Sequence, residues 1–342
     1  MTITDQKPST QPTTDHVTHG PVGTAIAQLR KFGAIGPLIS LVILVVLLSF
    51  LSPYFLEVNN LFNVFQQITV LAIIALGATM VIISGGIDLS VGSVAALSGM
   101  LAGVSFGAWG LPMGLALVLS LVVGAVAGFA NGAAIVFGKV PPFVATLAML
   151  SVARGLTLVL SNGQPVSGFP DWFREIGTFD LFGVVPGVVI IVVLLYAAGS
   201  FYLRFRPSGR DIYAVGGSEE VARLSGVNVG ALKLRVYTIA GALAAVGGVV
   251  LTSRLNSAQP TAGAGLELDV IAAVVIGGAS LSGGVGTVIG TLIGALIIGV
   301  LRNGLNLLDV SSFWQQVVIG LVIAGAVMID TLGRRARRRS RD

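Results

Sequence analysis

The sequence predicts an all-α integral membrane protein of about ten transmembrane helices, and three observations carry that prediction. Hydrophobic residues make up 54% of the 342 positions and charged residues only 10%, against about 25% charged in a soluble domain. Apolar runs of roughly 20 residues recur, each long enough to cross about 30 Å of hydrocarbon as a helix. The 46 glycines would weaken soluble helices, but within a membrane they let helix backbones approach closely.

Taken in order, residues 1–32 form a tail rich in Thr, Pro, Gln and Asp without apolar periodicity, expected to be disordered and cytoplasmic. No signal peptide is expected ahead of the first apolar run. That run, Gly33 to Leu51, follows Arg30 and Lys31 and lacks a small-residue cleavage site, so it reads as a retained signal-anchor helix. Ser52 to Asn63 reads as an external loop or an interfacial helix. Further spans fall at about 66–84, 91–109, 112–137, 143–160, 184–203, 236–255, 267–281, 287–306 and 313–332. The span at 267–281 is short, and the second and third could form one interrupted unit.

Orientation follows from basic residues in short loops. Arg30 and Lys31, Lys139, the group from Arg204 to Arg235, and the C-terminal arginines should share the cytoplasmic side. Ten spans place them all there, with both termini cytoplasmic. The transmembrane domain is then 33–332, with 204–235 as a cytoplasmic loop and 333–342 as a basic tail. Arg334, Arg335, Arg337, Arg338, Arg339 and Arg341 lie directly after an apolar span, which fits anchoring to anionic membrane lipid rather than nucleic-acid binding.

With no cysteine, disulfides, thiolate nucleophiles and cysteine-ligated metals are excluded. His16 and His19, the only histidines, lie in the N-terminal tail, so histidine chemistry within the membrane is excluded as well. No catalytic constellation and no metal site is expected.

Three glycine sets recur every fourth residue inside predicted spans: Gly99, Gly103 and Gly107; Gly124, Gly128 and Gly132; Gly286, Gly290 and Gly294. Each lines one helix stripe and is read as close packing between helices rather than a pore lining. Gly85–Gly92 matches Gly277–Gly284 at five of eight positions. Both lie between consecutive spans in the same sense, which suggests a parallel internal repeat.

Ionisable residues in the spans are costly to bury. Asp88 stands at a helix break and reads either as a cap for the helix beginning near Ser90 or as a gating group. Arg154, in mid-span, should face the protein interior and pair there, with Asp88 one candidate. Arg254, Glu267 and Asp269 read as an external boundary cluster, for capping and ion pairing or for docking. Asn131 is a candidate to bond a substrate hydroxyl or to join two helices. Trp172 and Phe173 read as interfacial anchors, with Trp172 also a candidate docking residue.

The cytoplasmic loop holds Gly216-Gly217-Ser218-Glu219-Glu220-Val221-Ala222-Arg223-Leu224-Ser225-Gly226. Ser218 suits an N-cap, and Glu219 and Glu220 favour the positive end of a helix dipole. Glu219 and Arg223 stand at ion-pair spacing. Val221 and Leu224 give a small apolar face, and Gly226 is a natural terminator. These residues form a two-turn surface helix, either a solvated connector or a plug that docks into a partner.

This loop resembles the coupling region of the monosaccharide ABC permeases, the ribose, xylose and arabinose group. Ser84-Gly-Gly-Ile-Asp-Leu-Ser-Val-Gly-Ser93 is similar to that family's N-terminal signature. Ser257–Gly263, Glu267-Leu268-Asp269 and Asn303–Leu308 look most like its ribose-type members. The resemblance runs from about Gly33 to Leu332 and leaves out both tails. It implies a permease subunit that imports a monosaccharide across the inner membrane. Its implied partners are a second copy of the chain, a cytoplasmic ATPase and a periplasmic sugar-binding protein. ATP and magnesium would then be used by the ATPase, with no cofactor on this chain. The nearest approach to a phosphate loop here, Gly132 to Lys139, spaces its glycines six apart rather than five. It also has Val140 where Ser or Thr would hold magnesium. An ion-coupled secondary sugar transporter is the alternative, but the spans hold few carboxylates to relay a proton. A membrane enzyme or scaffold is a third class, without a nucleophile and base to support it.

Overall fold

The computed structural model describes residues 35–181 and 185–339, with backbone alone beyond Met328. The expectations for the 1–32 tail and for residues 340–342 lie outside these. The helices are α1 (Ile35–Leu51), α2 (Val58–Ile83), α3 (Val91–Gly107), α4 (Met113–Val136), α5 (Pro142–Ser161), α6 (Asp171–Thr178) and α7 (Gly187–Phe205). They continue with α8 (Pro207–Gly217), α9 (Glu219–Leu224), α10 (Val229–Leu255), α11 (Leu266–Ile276), α12 (Val288–Leu307) and α13 (Ser312–Arg339). Two antiparallel two-residue pairs join loops: β1 (Val166–Ser167) with β4 (Ser257–Ala258), and β2 (Asp180–Leu181) with β3 (Val185–Pro186). The chain is an all-α membrane protein. Among the described residues six helices, α2, α4, α5, α7, α10 and α12, are long and apolar enough to cross a bilayer. The helices at Ile35–Leu51 and Val91–Gly107 and the stretch Ser312–Met328 are apolar but shorter.

The centre of the bundle is α10, and the glycine stripes explain why. A Cβ at Gly124 or Gly128 would strike the α10 backbone at Gly241 and Tyr237, and one at Gly99 would meet Thr252 and Gly248. Both sets bring helices into backbone contact, where packing rather than hydrophobic transfer holds a membrane bundle together. In the third set, Gly290 and Gly294 let α12 lie against Gly277 and Ala273 of α11. From its other side α2 closes on α10, with Gly77 against Ala240 and Gly247 against Ile74.

Two expectations are corrected. The run at 267–281 is not a spanning helix. It stops at Ile276 after 11 residues, about 16 Å of rise and half a hydrocarbon thickness. Gly277 to Thr287 then turns through positive φ at Gly278, Gly283 and Gly284. The loop 204–235 carries a helix, α8, that the sequence reading left out, and α10 begins at Val229 rather than near 236. Beyond the last span the backbone of α13 continues as helix to Arg339.

The two matched segments meet in space. Gly284 N–H donates to Ile83 O at 2.8 Å, and Gly216 of α8 is wedged between Ile83 and Gly284.

Candidate functional site

Polar groups gather in three places. The first is the break between α2 and α3. Asp88 accepts from Ser90 N–H at 2.8 Å and Ser90 Oγ at 2.6 Å, and Asn131 Nδ2 donates to Ser90 Oγ at 2.9 Å. All three side chains are buried. The carboxylate therefore closes a turn on Ser90 just ahead of α3, without bonding the free N–H groups of the helix itself. Asn131 ties α4 to that turn. Thr146 Oγ1 of α5 donates to Ile87 O at 3.2 Å, so three helices converge on seven residues of irregular backbone.

The second place is the segment between α10 and α11. Ala258 lies against Gly103, whereas Gly263 lies against Gly92, about three turns away along α3. The chain thus leaves α10, turns through the β1–β4 pair and runs back alongside α3 before α11 begins. Arg154 is the clamp on this descent. Its guanidinium donates to Pro260 O at 3.1 Å and Ala262 O at 2.9 Å. The expected pairing of Arg154 with Asp88 is not formed. Two carbonyls on non-helical backbone need donors inside a membrane, and Arg154 supplies them.

The return also separates the expected boundary cluster. Arg254 donates to Gln66 O at 2.8 Å. Asp269 pairs instead with Arg302 of α12. Glu267 Oε2 is buried without a hydrogen-bond partner. Glu267 and Asp269 sit in the first turn of α11, where carboxylates oppose the positive helix end. That turn lies beside Gly92 in the first turn of α3 rather than beside the end of α10, because the preceding loop has already run back along α3. Beside it is a cavity of about 470 Å³ lined by Gln67, Arg254, Asp269, Arg302, Asn306 and Gln315 among others. The sequence reading missed Arg302, although a cation inside the run 287–306 was a signal in plain view.

The third place is the surface pair α8–α9. Ser218, in extended backbone at φ −164°, caps α9 by accepting from Val221 N–H at 3.3 Å. Gly226 ends the turn after α9 at φ +87°. Glu219 does not pair with Arg223; it reaches Lys233 on the first turns of α10. Glu220, Arg223 and Ser225 are exposed, and Ser225 Oγ donates back to Val221 O at 2.9 Å. Ala222 alone is buried, while Val221 is 62% and Leu224 83% exposed. An apolar face of that kind lacks a partner among the described residues. Its neighbour α8 starts with Pro207 at the first helical position and buries Ile212 and Val215. Those two signals could have located it.

On the opposite end of the bundle, Ser253 Oγ accepts from Gly177 N–H at 2.8 Å and donates to Phe173 O at 2.5 Å, fixing α6 against α10. Trp172 is 49% exposed. Phe173 is fully buried, edge-on to Phe169 at 5.1 Å, so it is a core residue rather than an anchor.

Residues 60–327 match the family described as branched-chain amino acid transport system / permease component. The chain is 50% identical over 299 residues to the ribose import permease protein RbsC of Bacillus subtilis, covering 86% of this chain and 92% of the relative. It is 47% identical over 299 residues to RbsC of Escherichia coli, with the same coverage of 86% and 92%. The xylose transport system permease protein XylH of Haemophilus influenzae is 34% identical over 361 residues, 87% of this chain and 96% of the relative. No solved structure matches the chain. A clamped re-entrant loop, a half-length helix and a capped surface helix are thus set in a chain that belongs to this family of multi-pass inner-membrane permease components, together with the ribose import permeases it resembles.

Proposed function

We propose that the chain is the permease subunit of an ATP-driven importer of ribose or a closely similar monosaccharide. The observation that carries this is the 50% identity to a ribose import permease over 86% of the chain. An import permease of the ABC class works with an ATPase and a binding protein. The exposed Val221 and Leu224 on α9 give the ATPase an apolar contact, held in register by the Ser218 cap. ATP and magnesium then act in that partner.

In this reading the face bearing α8, α9 and the α13 terminus is cytoplasmic. Loop 256–265 and α11 together make one crossing, so the chain crosses ten times and both termini share that face. The arginines after Ile329 meet anionic lipid, and two copies pair around the path. The meeting of Gly85 with Gly283 supports reading the two signature segments as equivalent parts of a parallel repeat. Asp88, Ser90 and Asn131 form the inner break that rearranges as the path opens, Arg154 holds the outer one, and Trp172 faces the binding protein.

Reconstitution in liposomes with the matching ATPase and binding protein tests the proposal. Ribose uptake should need all three components. It should fall at least tenfold when Glu219 and Glu220 are both replaced by Lys. Transport of xylose but not ribose would change the substrate and keep the mechanism. Uptake by this chain alone on an ion gradient would overturn the proposal.

A further inference from the structure

The re-entrant segment places a buried ion pair against a cavity. Along α2, Gln67 and Leu71 lie about 14 and 20 Å from the first residue of the helix at 1.5 Å per residue; both line the cavity. The cavity therefore runs inward from the ends of α10 and α12, where Arg254 and Asn306 line it, past Gln67 to Leu71 and Ile298. Five elements build its walls: α2, the end of α10, the start of α11, the last turns of α12 and the first turn of α13. Its volume, about 470 Å³, falls within the roughly 300–1,000 Å³ of small-molecule sites.

The lining is polar in a particular way. Asp269 is 6% exposed and takes one guanidinium nitrogen of Arg302. Arg302 Nε is buried there without a hydrogen-bond partner. Gln315, also buried, donates to Asn306 Oδ1 at 2.7 Å and Val310 O at 2.9 Å, which leaves the Asn306 amide N–H groups free to point elsewhere. Gln67 and Asn306 are exposed. Donors and acceptors thus alternate around the space: guanidinium, carboxylate, amide. A buried Arg–Asp pair stabilises little by itself, because desolvation offsets its attraction. The buried Arg302 Nε–H, without a partner among the described residues, adds a further cost. The groups open to the space are the Gln67 and Asn306 amides and the accessible part of the Arg302 side chain, which is 38% exposed, and they call for a ligand that both donates and accepts at several points. A neutral polyhydroxylated ring has that pattern, whereas an apolar ligand or a metal ion does not.

We infer that this cavity is a station on the transport path that holds one monosaccharide, with Asp269 and Arg302 bonding its hydroxyls and Asn306 and Gln67 setting selectivity. The inference rests on the sugar-import reading. It adds that the permease itself grips the sugar within the bundle, rather than leaving all recognition to the binding protein.

The test is uptake in liposomes holding the complete importer, comparing ribose with its 2-deoxy and 3-deoxy analogues. Asp269→Asn and Arg302→Gln should each lower ribose uptake at least tenfold. The exchange Asp269→Arg with Arg302→Asp restores an ion pair but reverses the donors and acceptors facing the cavity. It should assemble and still transport poorly. Recovery of wild-type uptake by the exchange would show a structural clamp and overturn the inference. Should the charge variants fail to assemble, Asn306→Ala and Gln67→Leu decide, since both leave the pair intact. A change of threefold or more in the ratio of deoxy analogue to ribose uptake supports the station, and wild-type ratios in both variants overturn it. A wild-type complex that imports no monosaccharide would instead remove the importer reading, and this inference with it.

Discussion

The surface helix α9 and the half-helix α11 misplace polarity in opposite senses. The first has six residues and the second 11, and isolated helices below about 12–15 residues are marginal in water. Each therefore depends on its surroundings. In α9 the apolar residues Val221 and Leu224 face outward where water would be. In α11 the carboxylates Glu267 and Asp269 face inward where lipid or protein would be. An apolar side chain left in water is a contact waiting for a protein partner, and a polar one left in the interior is a contact waiting for an internal partner or a solute. On the proposed import reading, the first would serve energy input and the second substrate passage.

The comparison breaks most severely at Arg154. Replacing it with Leu leaves the Pro260 and Ala262 carbonyls without charged donors. We expect about 3 kcal/mol of lost stability from breaking two charge-assisted bonds. In a thermal unfolding scan the purified protein should melt well below wild type, with uptake lost. A Leu224→Asp variant acts on α9 alone. Removing a central apolar contact costs about 2 kcal/mol at an interface hot spot. ATPase affinity should fall about 30-fold by titration, while the melting temperature of the permease without its ATPase stays at the wild-type value. Ser218→Ala removes the α9 cap and should cost about 1 kcal/mol locally. Hydrogen exchange at Val221 and Ala222 should quicken while α11 amides are unaffected. Smallest of all, Lys233→Gln breaks an ion pair whose carboxylate is 46% exposed. Exposed pairs contribute at most about 1 kcal/mol, so uptake should stay within twofold of wild type.

How far each region was legible in the sequence follows the range of its interactions. The Ser218 cap and the Gly226 terminator act within a few residues, and both stand where the sequence put them. The Asp88 turn ahead of α3 is equally local. The glycine stripes announced close packing, though not that α10 would receive two of them. Glu219 was matched to Arg223 because helical spacing makes them neighbours; the chain instead folds α10 back to offer Lys233. Arg254, Glu267 and Asp269 were grouped because they are near in sequence. Their partners, Gln66 and Arg302, come from α2 and α12. The re-entry of loop 256–265 was invisible for the same reason. Its evidence is Arg154, more than a hundred residues earlier, and no hydropathy window joins the two. Phe173 looked like an anchor beside Trp172, yet a helix turns successive residues about 100° apart, so one faces out and the next faces Phe169.

The wedge at Gly216 governs how a stroke would travel. Ile83 O accepts the Gly284 amide, and Gly216 presses on both partners with bare backbone. Beside this backbone contact, Tyr213 of α8 donates to Gly286 O at 3.0 Å, a second tie to the segment after α11. A push delivered to α9 passes through α8 and arrives at the segment after α2 and the one after α11 together. In the proposed cycle a displacement of α8 would therefore be felt at both segments, and the two halves of the chain would keep time with each other.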